Sequence, residues 1–340
     1  MRIAFVYNIR HKYPDPNDPR AQLETDFDDP QTIEAMIKNM KECGFDVIPI
    51  EANEDAYEKL KKNKGKIDLV FNYSMGIYGR DRYAHLPAML EMLQIPYTGP
   101  SPLTEALVLN KAKAREILKA NGINVPDSQV FYRKDQKLKS SLKFPLIVKP
   151  CCRGSSAGIT NKSVVENEQQ LREQVEFVID TFEEPALVQT FLEGREFSIP
   201  LIGNPPEILP IIEVDHSVTP KGYKQIDSLE IKWIVEEEDK EFEKRHFICP
   251  AKIDKKLEKK LKDLCLKTWE ALEIADLCRI DIRCDKKGKP YVLDINTPPG
   301  LIPPEVSTTS YFPLSARAAG IDYKQLIKKI VQSAVDRYTR

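Results

Sequence analysis

The chain lacks most of the features that would assign it quickly. It carries no surplus of one charge: 51 basic residues face 52 acidic ones, a formal net charge of −1. Nucleic-acid binding needs a basic surplus to neutralise phosphates, so no nucleic-acid partner is expected. No apolar run approaches the roughly 18 residues of a membrane span, so no membrane partner is expected either. The opening residues, MRIAFVYNIR, turn polar too quickly for a secretory signal. A disulfide framework is missing too. Seven cysteines, an odd number, are scattered without framework spacing, which suits reduced thiols in a cytoplasmic enzyme. There is no internal repeat, no low-complexity segment, no Walker A sequence and no dinucleotide fingerprint. At 340 residues the chain exceeds one ordinary core, and two or three domains are expected. Composition therefore leaves a soluble α/β protein.

The order of elements says more. Apolar strands are expected at Arg2–Tyr7, Asp46–Ile50 and Ile67–Asn72. A helix separates the first two, starting at Asp29-Pro30 and stopped by Gly44. This alternation implies a parallel sheet, whose ligands gather at the carboxyl ends of the strands. The long polar segment from Asn8 to Asp29 follows the first strand and is a candidate lining for a site. YTGPSP (Tyr97–Pro102) marks a boundary, followed by one helix over Leu103–Ala120 and a strand at Phe144–Lys149. A helix is expected near Gln169–Ile179, then three strands between Ala186 and Val214. The charge run Val235–Arg245 is expected to be a solvated loop. Two more helices are expected at Leu257–Leu272 and Tyr323–Tyr338.

Chemistry concentrates in CRIDIRCDKKGKPYVLDINTPPG (Cys278–Gly300). A two-residue turn at Lys287-Gly288 pairs Lys286 with Lys289, Cys284 with Tyr291, Asp281 with Asp294 and Arg279 with Asn296. Arg279, Asp281, Asp294 and Asn296 then share one face, and Ile280, Ile282, Leu293 and Ile295 share the other. Two carboxylates directly across a hairpin repel unless a cation lies between them. Oxygen-only ligands favour a hard cation, and Mg²⁺ takes one or two carboxylates together with phosphate oxygens. The competing reading is a solvated face in which Arg279 neutralises one acid.

The complementary anion site is sought at KPCCRGSSAG (Lys149–Gly158). It offers two chemistries, a thiol site or a phosphate loop. Small residues let backbone N–H groups approach phosphate oxygens, and Ser155 and Ser156 add hydroxyl donors. A strand-end lysine beside such a loop, and an acidic hairpin elsewhere in the chain, favour phosphate.

These segments resemble the ATP-grasp superfamily, and within it the D-alanine–D-alanine ligase family. LEMLQIPYTGPSPLTEALVLNKAKAREILKANGINV, LIVKPCCRGSSAGI, LEGREF, FICPA, the hairpin and ARAAGI occur in the family's order. The resemblance implies an α/β fold, α+β in its ATP-binding part, with three domains: residues 1–100, 101–188 and 189–340. It implies an ADP-forming ligase that joins a carboxylate to an amine through an acylphosphate, with ATP and two Mg²⁺ ions. Position by position, Lys111 and Lys149 match nucleotide-binding lysines, and Ser155 and Ser156 match the loop over the phosphates. Gln189, Phe191 and Leu192 match the adenine segment, and Glu196 the ribose-binding acid. Asp281, Asp294 and Asn296 match Mg²⁺ ligands. Arg279 and the Gly300 N–H match the stabilisers of the tetrahedral intermediate, and Lys232 keeps a phosphate-facing role. A homodimer is compatible with the family. None of the four histidines matches a family site, and Cys151 and Cys152 fall at spacer positions.

The departures lie on the substrate side. The family's glycine-rich signature after the first strand is absent, leaving Glu24, Asp26 and Asp28 as alternative holders of a substrate ammonium. Met75 stands in the place of a histidine and Trp233 in the place of a tyrosine. Glu305 stands where the family binds a carboxylate, which predicts an acceptor other than D-alanine. Three readings follow: a ligase of amino acids or small peptides, a true D-alanine–D-alanine ligase, and an inactive nucleotide-binding regulator.

Overall fold

In the computed structural model, residues 1–13, 15, 18–236 and 239–339 are described. The first sheet is parallel, with β1 (Arg2–Tyr7) between β2 (Asp46–Glu51) and β3 (Leu69–Tyr73). Both faces of β1 are buried, which is why it reads as a continuous apolar run. Ile3, Phe5 and Tyr7 meet Ile33, Met36 and Met40 of α1 (Pro30–Glu42). Ala4 and Val6 meet Leu60 of α2 (Ala56–Asn63) and Leu90 of α3 (His85–Leu93).

The expected helix over Leu103–Ala120 is two helices, α4 (Pro102–Leu109) and α5 (Lys111–Ala120). Asn110 breaks it, with ψ at 87°, and its side chain caps α5 by accepting from the Lys113 N–H. The break places Lys111 at the first turn of α5. Val108, Ala114 and Leu118 from these helices pack on the third sheet described below.

The second sheet has the order β4-β7-β5-β6, built from β4 (Ser128–Phe131), β5 (Leu146–Pro150), β6 (Val164–Val165) and β7 (Ala186–Thr190). Its strands are antiparallel, and α6 (Glu168–Phe182) covers it through Leu171, Val175 and Val178. The expected division between residues 188 and 189 falls inside β7, and the chain leaves this sheet after Thr190.

The third sheet is antiparallel. It contains β8 (Glu196–Ile202), β9 (Glu207–Ile208), β10 (Ile212–Val214), β11 (Phe247–Ile248), β12 (Leu277–Cys284) and β13 (Pro290–Asn296). The charge run ahead of β11 is not a solvated loop. It contains α7 (Lys240–His246), whose Phe242 and His246 are buried, and His246 Nδ1 pairs with Glu236 Oε1 at 3.0 Å. Glu237 and Glu238 of that run lie outside the described residues. Helix α8 (Lys255–Ala271) packs Leu261, Leu264 and Cys265 on the sheet's apolar face.

The hairpin keeps the expected register at its acidic end, where Arg279 pairs with Asn296 and Asp281 with Asp294. Toward the turn a bulge shifts it by one residue, so Cys284 faces Pro290 rather than Tyr291. The bulge moves Leu293 off the core face, and Val292 is buried there instead. A tertiary contact accompanies this shift: Arg115 of α5 donates through Nη2 to the Leu293 carbonyl at 2.6 Å.

After a Pro-rich loop the chain forms α9 (Tyr311–Ala318) and α10 (Tyr323–Tyr338). Leu326, Ile327, Ile330 and Val331 of α10 return to the first sheet and complete its core. An Ile330→Ala substitution is therefore expected to cost about 2–5 kcal/mol. Lys329→Ala, which breaks only an exposed pair with Glu207, is expected to cost less than about 1 kcal/mol. Denaturant unfolding checks both; equal effects would contradict the shared core.

Candidate active site

The polar face of the third sheet carries Glu196 and Ser198 on β8, Arg279, Asp281 and Arg283 on β12, and Asp294 and Asn296 on β13. Alternation along each strand puts these residues on one side. Asp281 is fully engaged. Arg279 donates to it through Nε and Nη2 at 3.0 and 2.9 Å, Ser198 Oγ at 2.6 Å and Asn296 Nδ2 at 2.9 Å.

Asp294 is the meeting point of three elements. Lys111 Nζ of α5 lies 3.4 Å from Oδ1, and Lys149 Nζ of β5 lies 3.9 Å from Oδ2. Burial alone would raise the Asp294 pKa; Lys111, Lys149 and Arg115 outweigh it and hold the acid below its usual range. Lys149 shows the opposite balance. Burial pushes its ammonium down to about 7, and Asp294 offsets only part of that. Three cations around one carboxylate leave net positive charge in a dry place, which suits an anion such as a phosphate chain.

The loop after β5 sits over this cluster. Ser155 and Ser156 take left-handed φ values of 47° and 61°. Lys111 Nζ donates to the Arg153 carbonyl at 2.6 Å, and Ser156 Oγ to the Asp227 carbonyl at 2.6 Å. The N-terminal segment clasps the loop from the other side. The Gly158 N–H donates to Gln22 Oε1 at 2.9 Å. At Gly154 an added Cβ would stand 2.5 Å from Asp26 Oδ1, so only glycine fits unless Asp26 moves.

Between these parts lies a cleft of about 290 Å³. Lys111, Ser155, Arg279, Asp294, Asn296 and Gly300 line one part of it. Asp26, Asp28, Met75, Lys232 and Trp233 line another. The Arg10 guanidinium stacks 4.5 Å above the Trp233 ring, joining the N-terminal segment to the π-helical turn Ile231–Val235. Lys232 Nζ pairs with Asp227 Oδ2 at 3.1 Å. Three buried polar atoms of cleft residues have no hydrogen-bond partner among the described residues: Asp26 Oδ1, Trp233 Nε1 and Tyr311 Oη. Unpaired buried polar groups are costly, and a polar ligand would satisfy them.

Glu196 lies beside the cleft rather than in its lining. It accepts from His216 Nε2 at 2.9 Å and Arg283 Nη1 at 3.0 Å. Burial would raise its pKa; His216, Arg283 and His246 outweigh it and bring the pKa to about 2. Gln189 is in β7, opposite Ile147 of β5, with its Oε1 buried and without a hydrogen-bond partner among the described residues. Phe191 sits under the Arg283 guanidinium at 5.1 Å. Leu192 is buried and lines a separate surface depression.

Two of the expected substrate-side residues point away from the cleft. Glu24 accepts from the His11 and Lys12 backbone N–H groups at 2.6 and 2.8 Å, closing its own loop. Of the three alternative acids, Asp26 and Asp28 reach the cleft. Glu305 is exposed and accepts from Asn39 Nδ2 of α1 at 2.6 Å. The cleft instead receives Ser307, Thr309 and Ser310. The charge argument against a D-alanine acceptor therefore falls. The signal for this correction was the hydroxyl run Ser307–Ser310 just ahead of α9. Arg10, Arg82, Arg115 and Tyr311 were missed altogether. Arg82 is 2% exposed and donates to Asp26 Oδ2 at 2.6 Å and to the Cys152 carbonyl at 2.9 Å.

Residues 117–332 match the family described as D-ala D-ala ligase C-terminus. A D-alanine–D-alanine ligase of Pelotomaculum thermopropionicum is 32% identical over 318 residues, 90% of this chain and 92% of that protein. The chain belongs to the D-alanine–D-alanine ligase family. An uncharacterized protein of Sinorhizobium fredii, y4sG, is 31% identical over 354 residues, 99% of this chain and 98% of that one. The crystal structure of a D-alanine–D-alanine ligase from Bacillus anthracis superposes with a TM-score of 0.74 at 25% identity, covering 99% and 98% of the two chains. Its ATP complex gives 0.73 at 23% identity, with the same coverage. The ATP-grasp fold of the family, implied by the sequence motifs, is thus borne out.

Cys151 and Cys152 are buried, and burial pushes their pKa values up to about 12 and 11. Native protein is expected to resist thiol reagents at both, while denatured protein titrates all seven free thiols. Mass spectrometry after brief alkylation checks this; rapid native labelling of Cys152 would contradict it.

Asp28 supplies a pH prediction. Burial raises its pKa to about 6, against a hydrogen bond from Tyr73 and the charge of Arg10. A raised carboxyl pKa means that the unfolded chain ionises first, so this group costs stability as pH rises from about 4 to 6. Asp28→Asn is therefore expected to gain stability over wild type through that window, levelling off above it at roughly 3 kcal/mol. Thermal unfolding from pH 4 to 8 checks this; a gap that shrinks with rising pH would contradict it.

Proposed function

We propose that this protein is an ATP-dependent, ADP-forming ligase that joins the carboxylate of one amino acid to the amine of another. The observation that carries the reading is Asp294 held between Lys111 and Lys149, with Arg279, Asp281 and Asn296 on the same face. Two carboxylates and a carboxamide oxygen form a hard donor set for Mg²⁺, and buried lysines favour phosphate oxygens. Among the described residues no group of three or more His, Cys, Asp or Glu is placed to hold a metal ion by itself, so a full metal shell needs phosphate or water oxygens. That matches Mg²⁺ bound together with a nucleotide.

The residues take the following parts. Asp281, Asp294 and Asn296 hold Mg²⁺, two ions in our reading. Lys111, Lys149, Ser155 and Ser156 hold the phosphates, and Gln189, Phe191, Leu192 and Glu196 the adenosine. Bound Mg²⁺–ATP supplies the phosphoryl group: a carboxylate oxygen takes the γ-phosphorus and ADP leaves. The amine nitrogen then attacks the acyl carbon, the carbon–oxygen bond to phosphate breaks, and one amine proton is lost. Arg279 and the Gly300 N–H face the oxyanion of that attack. Arg10, Lys232 and Trp233 close the cleft and exclude water, which would otherwise hydrolyse the acylphosphate. Asp26, with its unpaired Oδ1, suits a substrate ammonium. With Glu305 outside the cleft, D-alanine is the first substrate to test, because relatives bear that name. Seven free thiols support a cytoplasmic setting.

The test is ADP release from Mg²⁺–ATP across pairs of D- and L-amino acids, with product masses. Wild type is expected to release ADP only when a productive pair is present. Lys149→Met is expected to lower kcat/KM for ATP by at least about 30-fold, the scale for removing one member of a buried charge cluster. Absence of amino-acid-dependent ADP release with every pair would leave the inactive-regulator reading.

A further inference from the structure

Gly300 and Leu301 lie in an unusual stretch, Pro298-Pro-Gly-Leu-Ile-Pro-Pro304. Two proline pairs fix the backbone on either side, and the soft part is Gly300–Ile302. Gly300 is the softest point: it has no side chain, and beyond its chain neighbours no atom of the described residues lies within 4 Å of where a Cβ would stand. Something else must hold this backbone if its N–H is to stay aimed.

Two buried phenols grip Leu301. Its N–H donates to Tyr73 Oη at 3.1 Å, and its carbonyl accepts from Tyr323 Oη at 2.6 Å. Tyr73 ends β3 and Tyr323 begins α10, so both come from the core of the first sheet. A phenol has a single proton. Because Tyr73 Oη accepts from Leu301, its proton points away from Leu301 and is available to the Asp28 carboxyl, which interacts with the phenol. The two peptide groups that follow Gly300 are thereby pinned to the N-terminal core, across from the sheet that carries Arg279.

We propose that Tyr73, oriented by Asp28, and Tyr323 are positioning residues that fix the Gly300–Leu301 backbone for the amine-attack step. This rests on the reading of Gly300 N–H as an oxyanion donor. Tyr73 lines the cleft, but among the described residues neither phenol is hydrogen-bonded to the nucleotide cluster or to the metal candidates. Their loss therefore acts on geometry in the transition state and spares ATP binding.

The experiment compares wild type, Tyr73→Phe and Tyr323→Phe. Steady-state kinetics use the amino-acid pair giving the fastest ADP release, and hydrogen exchange follows the 297–302 peptide. Each phenol deletion is expected to lower kcat for amide formation roughly 10- to 100-fold, the cost of a misplacement near 1 Å. KM for ATP stays within about two-fold, the signature of an interaction used only in the transition state. In Tyr73→Phe the Leu301 amide exchanges at least about ten times faster, because its acceptor is gone, while peptides of α8 are unchanged. Wild-type kcat in both variants would overturn the assignment alone. So would a fall in ATP affinity matching the fall in kcat, which marks general damage. No turnover by wild type with any pair would remove the ligase reading and this assignment with it.

Discussion

A single carboxylate organises the site. Asp294 sits on β13 of the third sheet, yet its two oxygens face Lys149 from the second sheet and Lys111 from α5. A buried acid by itself would be driven toward its neutral form, and a buried lysine likewise. Together they tolerate burial, and the tolerance is incomplete. With Arg115 close by, cations outnumber the acid, and Lys149 remains depressed to about 7. The site's own residues are therefore charged in the sense that attracts an anion. Its own acids are kept where a hard cation would join them. The juncture of two sheets and the polarity of the ligand are set by the same ion cluster.

The neighbouring features preserve that cluster. Arg115 donates to the Lys111 carbonyl at 3.0 Å and to the Leu293 carbonyl at 2.6 Å, tying the start of α5 to the hairpin bulge. Asn110 interrupts the helix so that Lys111 begins a new one. Gln22 and Asp26 reach across from the N-terminal segment to the phosphate loop. Because α10 packs with β1 and α1, the substrate side of the cleft stands on a core that joins both ends of the chain. The lysine–aspartate side of the cleft and the side lined by Asp26 and Asp28 are thus built from different parts of the fold.

Much of this was legible in the residues themselves. The pairing of Asp281 with Asp294 and Arg279 with Asn296 follows from a turn and a period of two. The parallel order of the first sheet follows from alternating strands and helices. What escaped depended on contacts distant in sequence. The bulge coincides with Arg115, 178 residues before Leu293, and no local pattern announces it. The segment Val235–Arg245 reads as solvated by composition, but Phe242 and His246, four apart, put one helical face inward. Glu305 was placed by counting along a Pro-rich loop, and loops vary in length more than the strands they follow. The substrate acids could not be ranked because which of Glu24, Asp26 and Asp28 faces the cleft depends on how that segment folds over Gly154.

In the proposed reaction Asp294 serves two partners in turn, the lysines before nucleotide binds and Mg²⁺ once it is bound. Calorimetric binding of ADP to wild type and Asp294→Asn, with and without Mg²⁺, tests it most directly. Wild type should bind ADP at least about ten-fold more tightly with Mg²⁺ than without, roughly 1.4 kcal/mol. Asp294→Asn should lose that gain while binding Mg²⁺-free ADP no more weakly than wild type, since its lysines are released to the phosphates. An undiminished Mg²⁺ gain in Asp294→Asn would contradict the account.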